Sequence, residues 1–386
     1  MEIEKSNKPF VLFYSLFFLF ALCAPMSQSR VTDYIPVRSL MEMIRLGLAG
    51  ITCIIAFKKK FTAKQWFFFA IFLGVALTSA FFSGQYNFLF ISLFCFAVSQ
   101  EDVSKVIKAL GFGNLLGIVI VLLLTLIGLL PNEIVYQTGR IRNTLGFNLP
   151  VLISGWYLNV GMVYVYLNRY NFDLLGAMKI LLPGVIIYYF TGGRASYFAL
   201  LFVTLSCLAI NKLSVKKIEY LAKKMPVMLK IVYLATFAIS VFVAENYQNY
   251  SFLTDLNEIT TGRLRWFWIF WNRYDPTFLG QPLNRVGSFQ ARNTGLPMSI
   301  LDNASLSLIL ENGIILTIAL TICIFYLFSL LKKNQDITSM VIWLVIFVTF
   351  LTGNTGLFFW RNPLLFQFAY LIDYSSKNKK IRSETL

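Results

Sequence analysis

The chain contains no histidine. The commonest general base and metal ligand is therefore missing from any chemistry it performs, and a proton-accepting group has to be a carboxylate or a tyrosine. Charge is scarce too. Only 13% of the 386 residues are Asp, Glu, Lys or Arg, and 18 residues are acidic. The apolar stretches are nearly free of carboxylates in their middles, which argues against a proton-coupled pump. Cys23, Cys53, Cys95, Cys207 and Cys323 lie in or at the ends of apolar stretches, with no C-x-x-C pair. Disulfides and metal sites are not expected from them. No G-x-x-x-x-G-K-[ST] run is present, which excludes a P-loop ATPase. No D-x-D pair is present to hold a metal-bound nucleotide sugar, and no internal repeat supports an inverted-repeat transporter.

What the sequence has instead is apolar surface. Hydrophobic residues make up 57% of it and aromatic residues 17%, a composition that fits an all-α, polytopic membrane protein. About twelve spans are expected, near 10–24, 40–57, 66–82, 86–98, 110–130, 151–167, 174–190, 195–210, 231–244, 304–330, 338–353 and 356–373. They read as a single membrane domain over 1–386 with one large outer loop, 245–303, between spans nine and ten. Lys5 and Lys8 followed by Phe10 to Leu22 have the outline of a signal peptide, but a retained first span is the preferred reading. An even number of spans puts both termini on the cytoplasmic side.

The cations divide by type. The chain has twenty lysines and fourteen arginines. Lys clusters at Lys58 to Lys60, Lys216-Lys217, Lys223-Lys224, Lys332-Lys333 and Lys377 to Lys380 mark cytoplasmic loops. With those loops inside, every Lys falls inside or at an inner helix end, joined only by Arg169 and Arg382. The other twelve Arg fall outside. The net charge of +16 therefore reads as topology and contact with anionic lipid, not as nucleic-acid binding. Arg offers a planar fork matched to phosphate and carboxylate oxygens, so the outer face is expected to hold an anion.

Five arginines on three separated segments suit a diphosphate. Arg140 and Arg142 lie in 131–150, Arg194 closes the turn Thr191-Gly192-Gly193-Arg194, and Arg263 and Arg265 lie in the long outer segment. Arg30 and Arg38 read as interfacial anchors, and Glu42 and Arg45, three apart, as a mutual pair. Arg361, beside Trp360 and a turn inside the last stretch, needs a partner or a wet cavity. Thr260-Thr261-Gly262-Arg263 is expected to start a helix with a Thr cap, and the aromatic run 263–273 to lie in the outer interface. Among the outer carboxylates Asp302 is best placed to accept a proton, at the mouth of span ten. A carboxylate there is equally a helix cap. Asn303 follows it, and Glu311, about two turns into the span, reads as a buried partner for an Arg or as a snorkelling side chain.

Four of these segments, in order, resemble the Wzy-type polymerases of O-antigen and capsule, related to the O-antigen ligases. Arg142-Asn143-Thr144-Leu145-Gly146-Phe147-Asn148-Leu149-Pro150-Val151 is similar to the family's Arg, Gly-Phe and His-Pro-Asn stretch, with Leu149 in the place of the His and Val151 in that of the Asn. Thr191-Gly192-Gly193-Arg194-Ala195-Ser196 resembles its Ser/Gly-Arg turn before a span. Thr261-Gly262-Arg263 resembles its Thr-Gly-Arg motif opening the large outer loop. Leu301-Asp302-Asn303-Ala304-Ser305-Leu306 with Glu311-Asn312-Gly313-Ile314 resembles the segment that closes it, Asp302 standing where many relatives have His.

The resemblance covers about residues 140 to 315. It implies a glycosyltransferase of the bacterial inner membrane, multi-pass, working on its outer face. The donor would be a glycan on an undecaprenyl diphosphate and the acceptor a sugar hydroxyl of a lipid-linked repeat unit. No cofactor, metal or nucleic acid is needed, and a chain-length regulator and a flippase are the implied protein partners. Arg140, Arg142, Arg194, Arg263 and Arg265 would hold the diphosphate and Asp302 would take the proton, with Asn303, Glu311 and Arg361 as further site residues. Two other readings stay open: an O-antigen ligase, which has a His in the base position, and a flippase or exporter of lipid-linked sugars, in which so long an outer loop is not expected.

Overall fold

Apolar chain that leaves water must satisfy its own backbone hydrogen bonds, and a helix does this locally. A computed structural model describes residues 8–137 and 140–373, the side chains of Gln137 and Arg140 apart. Lys5, the Lys377 to Lys380 cluster and Arg382 lie outside the described residues. In chain order the elements are α1 (Lys8–Met26), α2 (Val37–Lys58), α3 (Ala63–Ser83), α4 (Asn87–Val98), α5 (Val103–Leu126), the hairpin β1 (Ile134–Gln137) and β2 (Arg140–Asn143), α6 (Pro150–Leu167), α7 (Leu174–Thr191), α8 (Arg194–Ile210) and α9 (Val215–Asn246). There follow α10 (Ser251–Ile259), α11 (Arg263–Arg273), α12 (Ser288–Thr294), α13 (Ala304–Ser307), α14 (Ile314–Lys333), α15 (Ile337–Phe350) and α16 (Ala369–Ile372).

Among the described residues, eight helices are long and apolar enough to cross a membrane: α1, α2, α3, α5, α6, α7, α9 and α14. The protein is thus an all-α, multi-pass membrane protein by length and composition. Shorter apolar helices, α4, α8, α15 and Pro363–Ile372, occupy the remaining stretches. Helices α5 and α9 begin earlier than the expected spans, at Val103 and Val215, and two further stretches are interrupted. Span ten over 304–330 is not one helix. It is α13, a π-helical turn Leu308–Asn312, and then α14 starting after Gly313, whose φ of 89° ends the first piece. The last stretch, expected over 356–373, is broken: a short 3-10 turn at Thr355–Leu357 is followed by a non-helical segment, and a second 3-10 turn from Pro363 leads into α16. Gly356 and Asn362-Pro363 interrupt it, so Arg361 lies in a turn and not inside a span.

Segment 245–303 is also structured, carrying α10, α11 and α12. The expected Thr cap on α11 is not made. Gly262, at φ 84°, is the residue before the helix, and Thr261 hydrogen-bonds its Oγ1 to the Thr260 carbonyl instead. Asn257 supplies the missing acceptor from the preceding helix, taking the Arg265 N–H at 3.0 Å.

The described chain packs as two compact units, residues 8–60 with 96–218 and residues 61–95 with 219–373. In the first unit α5 lies against α1 backbone to backbone. A Cβ at Gly113 would stand 2.6 Å from the Phe18 carbonyl oxygen, and one at Gly117 would stand 2.4 Å from that of Leu22. Small residues four apart permit this approach where no hydrophobic force drives helices together. Lys59 donates to the Ala97 carbonyl at 2.8 Å and sits over the Phe10 ring, which brings the end of α2 and the start of α1 to one end of the unit. At the other end Arg30 pairs with Glu133, Ser29 bridges Phe147, and Arg142 lies on the α7–α8 turn. Arg30 is thus an ion-pair partner, and Arg45 pairs with Glu42 as the spacing implied. Arg169 closes α6 by donating to the Tyr166 carbonyl at 2.6 Å.

In the second unit α9 and α14 run antiparallel. The Tyr233 hydroxyl meets Thr321 Oγ1 at 3.2 Å, and the Lys230 ammonium lies 5.2 Å from the Phe325 ring centre. Near the α14 start, Ser79 of α3 donates to the Asn312 carbonyl at 2.7 Å and Asn303 donates to Ser240 of α9 at 2.8 Å. Arg263 donates to the Thr352 carbonyl past the end of α15. Every described arginine of this unit, at 263, 265, 273, 285, 292 and 361, lies on the segments gathered at that end. Its lysines at 64, 223, 224, 332 and 333 lie toward the opposite ends of the same helices, and Lys230 lies midway along α9. The division by residue type thus follows from packing as well as from the placing of loops.

Candidate functional site

Each unit holds its own arginine group. In the first, the hairpin β1–β2 places Arg142 opposite Val135, and the chain then turns through Leu145 and Gly146 at φ 50° and 81°. Gly146 is required there, since a Cβ would lie 2.0 Å from Thr125 Oγ1. The half-buried Arg142 side chain crosses Gly192, where a Cβ would lie 3.1 Å from its Nε. A Cβ on Gly193 would lie 2.1 Å from Ser154 Oγ, and Ser154 and Thr191 share a hydrogen bond of 2.7 Å. Arg194 opens α8 from this turn with an exposed side chain. The fold therefore brings the Arg142 segment onto the Gly-Gly-Arg turn, about fifty residues further along the chain. Asn148, in the same segment, buries its Oδ1 with no hydrogen-bond partner among the described residues. Arg140 opens β2, and its side chain lies outside the described residues.

The second unit holds Arg263, Arg265, Asp302, Asn303, Glu311 and Arg361. Helix α11 is anchored by Phe267 and Phe270, buried in a cluster with Val243, Ala244, Leu253, Leu301, Leu306 and Leu310. That cluster fixes Arg263 beside the entry to α13, with its Nε 3.8 Å from Asp302 Oδ2. Arg265, two residues on, is exposed, and its role in the fold is carried by its backbone N–H. Arg361 is buried in the turn after α15.

Asp302 and Asn303 divide the roles that the sequence left joined. Asn303 is the cap: its Oδ1 accepts the Leu306 N–H at 2.8 Å, and its amide binds Ser240. Asn303 is thus a structural residue, wholly buried, and Asp302 is not needed as a cap. Burial raises the Asp302 carboxyl above its ordinary range, while Arg263 and then Arg285 pull it back. A half-buried carboxylate with raised proton affinity between two cations is suited to take up a proton during a reaction.

Glu311 belongs to the π-helical turn before α14 and not to the span itself. Its partner is Arg285, 2.7 Å away, which also donates to Ser307 at 3.2 Å. Arg285 carries no motif, and the sequence reading passed over it. The one signal for it was indirect, because a carboxylate as buried as Glu311 requires a cation. Around this pair the backbone is locked by two glycines. A Cβ on Gly280, at φ 98°, would lie 2.4 Å from the Glu311 carbonyl oxygen, and one on Gly313 would lie 2.4 Å from the Gly280 nitrogen.

Of the five arginines, Arg142 lies with the Arg194 turn in one unit, and Arg263 lies with Asp302 in the other. No family model, curated protein or solved structure matches this chain.

Proposed function

We propose that this chain is a polymerase that joins lipid-diphosphate-linked oligosaccharide repeat units into O-antigen or capsular polysaccharide. It would work at the outer face of a bacterial inner membrane, through twelve crossings with both termini in the cytoplasm and segment 245–303 outside. The observation that carries the reading is Asp302: a carboxylate at a helix mouth, released from capping by Asn303 and flanked by Arg263.

The acceptor sugar hydroxyl attacks the anomeric carbon of the donor glycan. A bond forms from that oxygen to carbon, and the bond from carbon to the diphosphate oxygen breaks with its electron pair. The hydroxyl proton passes to Asp302. Guanidinium groups placed before the reaction stabilise the charge that grows on the departing lipid diphosphate, and they do so most strongly away from water. Arg263 in the second unit and Arg142 and Arg194 in the first are the groups assigned to the diphosphates, with Arg265 and Arg140 beside them in sequence. Arg361 and the Arg285–Glu311 pair support the surrounding backbone.

A deletion strain complemented with the Asp302→Asn variant tests this. The variant is expected to insert normally and to leave only single repeat units on a glycan gel. Long chains from that strain would reject Asp302 as the proton acceptor. Repeat units trapped on the cytoplasmic side of the deletion strain would favour a flippase and reject the polymerase.

A further inference from the structure

At the end of the second unit remote from Asp302, a lysine is placed where helical membrane proteins seldom leave one. Lys230 lies on α9, four turns from its start and within the apolar part of the helix. Its ammonium sits over the Phe325 ring of α14 at 5.2 Å and has no carboxylate or hydrogen-bond partner among the described residues. A ring face is a partial counter-charge only, and an ammonium at membrane depth needs a full one.

The surroundings show which kind of anion fits. The contacts Tyr233–Thr321 and Lys230–Phe325 set α9 and α14 antiparallel, so Lys223 and Lys224 fall level with Lys332, about 10 Å beyond Lys230 along the helix axes. All three are exposed. On α9 the only nearby carboxylate is the exposed Glu219. On the α14 side Asp336 is buried and accepts the Ser339 N–H as a helix cap at 3.1 Å. On the other side of Lys230 the helices become apolar and exposed, with Ile231, Ile322 and Tyr326 open to the surroundings. Cations at one level, a deeper cation with no ion-pair partner among the described residues, and an exposed apolar surface leading away match a phosphodiester headgroup with acyl chains.

We propose that α9 and α14 form a binding site for one anionic phospholipid, its phosphate between Lys230 and the Lys223, Lys224 and Lys332 level, its chains along Ile231 and Ile322. The site is separate from the proposed glycan chemistry and needs only the membrane reading. Basic pockets between spanning helices hold such headgroups, and each lysine contributes a factor of roughly five in affinity near an anionic surface. The site also explains why Lys and not Arg serves here: a flexible stem can lift a point charge to a phosphate whose depth varies.

The test uses the full chain in nanodiscs of phosphatidylcholine with or without phosphatidylglycerol, read by native mass spectrometry for retained lipid and by thermal unfolding. Phosphatidylglycerol is expected to be retained and to raise the unfolding temperature. Lys230→Gln should weaken retention about fivefold, and the triple change Lys223→Gln, Lys224→Gln and Lys332→Gln by more, with folding in phosphatidylcholine unchanged. Inorganic phosphate added to phosphatidylcholine discs should do neither. Equal retention by Lys230→Gln, or a phosphate effect equal to that of the lipid, would overturn the proposal. Lys230→Met is the second variant should Gln impair folding, and unweakened retention by it would overturn the site in the same way.

Discussion

Asp302 illustrates how a single residue's role depends on its neighbour. Asp and Asn cap helices about equally well, so the pair Asp302-Asn303 does not reveal in sequence which one caps. Backbone direction decides it, since Asn303 has the extended dihedrals and the accepted N–H. The pH behaviour follows from the raised proton affinity of Asp302. As a proton acceptor it must be ionised, so polymerisation should fall on the acid side with an apparent pKa above the ordinary carboxylate value of about 3.9. For stability the sign is opposite. A carboxyl whose folded pKa is raised is penalised when ionised, and that penalty vanishes as pH falls through the folded value. Asp302→Asn should therefore be as stable as the native chain at neutral pH, or more so, while losing polymerisation. Thermal unfolding at pH 5 and pH 7.5 checks this, and strong destabilisation at neutral pH would assign Asp302 a structural role. Arg263→Lys tests the fork. Its charge survives but its geometry does not, and a loss of about 100-fold in rate is expected in a chain-extension assay, as for removal of one preorganised donor. Arg285 was invisible because no motif marks it and its partner stands 26 residues away. Arg285→Ala should destabilise by about 3 kcal/mol in a denaturation experiment, since Glu311 would stay buried without its cation.

At the scale of elements, hydropathy located the apolar helices but misjudged several boundaries: α5 begins at Val103 and α9 at Val215, well ahead of the expected 110 and 231, and two stretches are interrupted. Apolar content over 304–330 is continuous, so a window average runs through the break. The break is made by backbone geometry: the π-helical turn, Gly313 in a conformation that disfavours side chains, and Gly280 pressed against it. The Gln281 N–H and the Glu311 carbonyl close the crossing at 3.0 Å, and the Ile314 N–H reaches the Thr277 carbonyl at 3.0 Å. Hydrogen bonds that a continuous helix would make internally are thus given to segment 245–303, which ties that segment to the start of α14. Gly313→Ala is expected to break this tie, because its Cβ has no room and its φ is strained. The measurement is size-exclusion recovery and proteolysis after Gln290, in the outer segment; recovery and cleavage equal to the native chain would show that the crossing is not held by these glycines. The α1–α5 contact is of the other kind. Gly113 and Gly117 show a small-residue repeat that sequence alone displays, yet which helix it meets depends on the fold.

Across the whole molecule the separation of Lys from Arg is the feature that both sequence and packing carry. In each unit by itself, helix after helix begins or ends on one cation type, with Arg169, held by the Tyr166 carbonyl, as the described exception. Charge alone does not require this, since either residue would orient a loop. Lys is compact and strongly hydrated and works through charge, whereas Arg adds directional donors that survive desolvation. A face furnished only with Arg suits a bound anion, and a face furnished with Lys suits the membrane surface and its lipids. This division makes the orientation testable. With the five native cysteines replaced, a cysteine at Ser288 lies on the arginine end and one at Gln335 on the lysine end. An impermeant thiol reagent applied to spheroplasts should label Ser288→Cys and spare Gln335→Cys until the inner membrane is opened. The reverse pattern would place the arginines in the cytoplasm. It would remove the polymerase reading together with its lipid-diphosphate substrate, and would leave the Lys230 lipid site in place in the opposite leaflet.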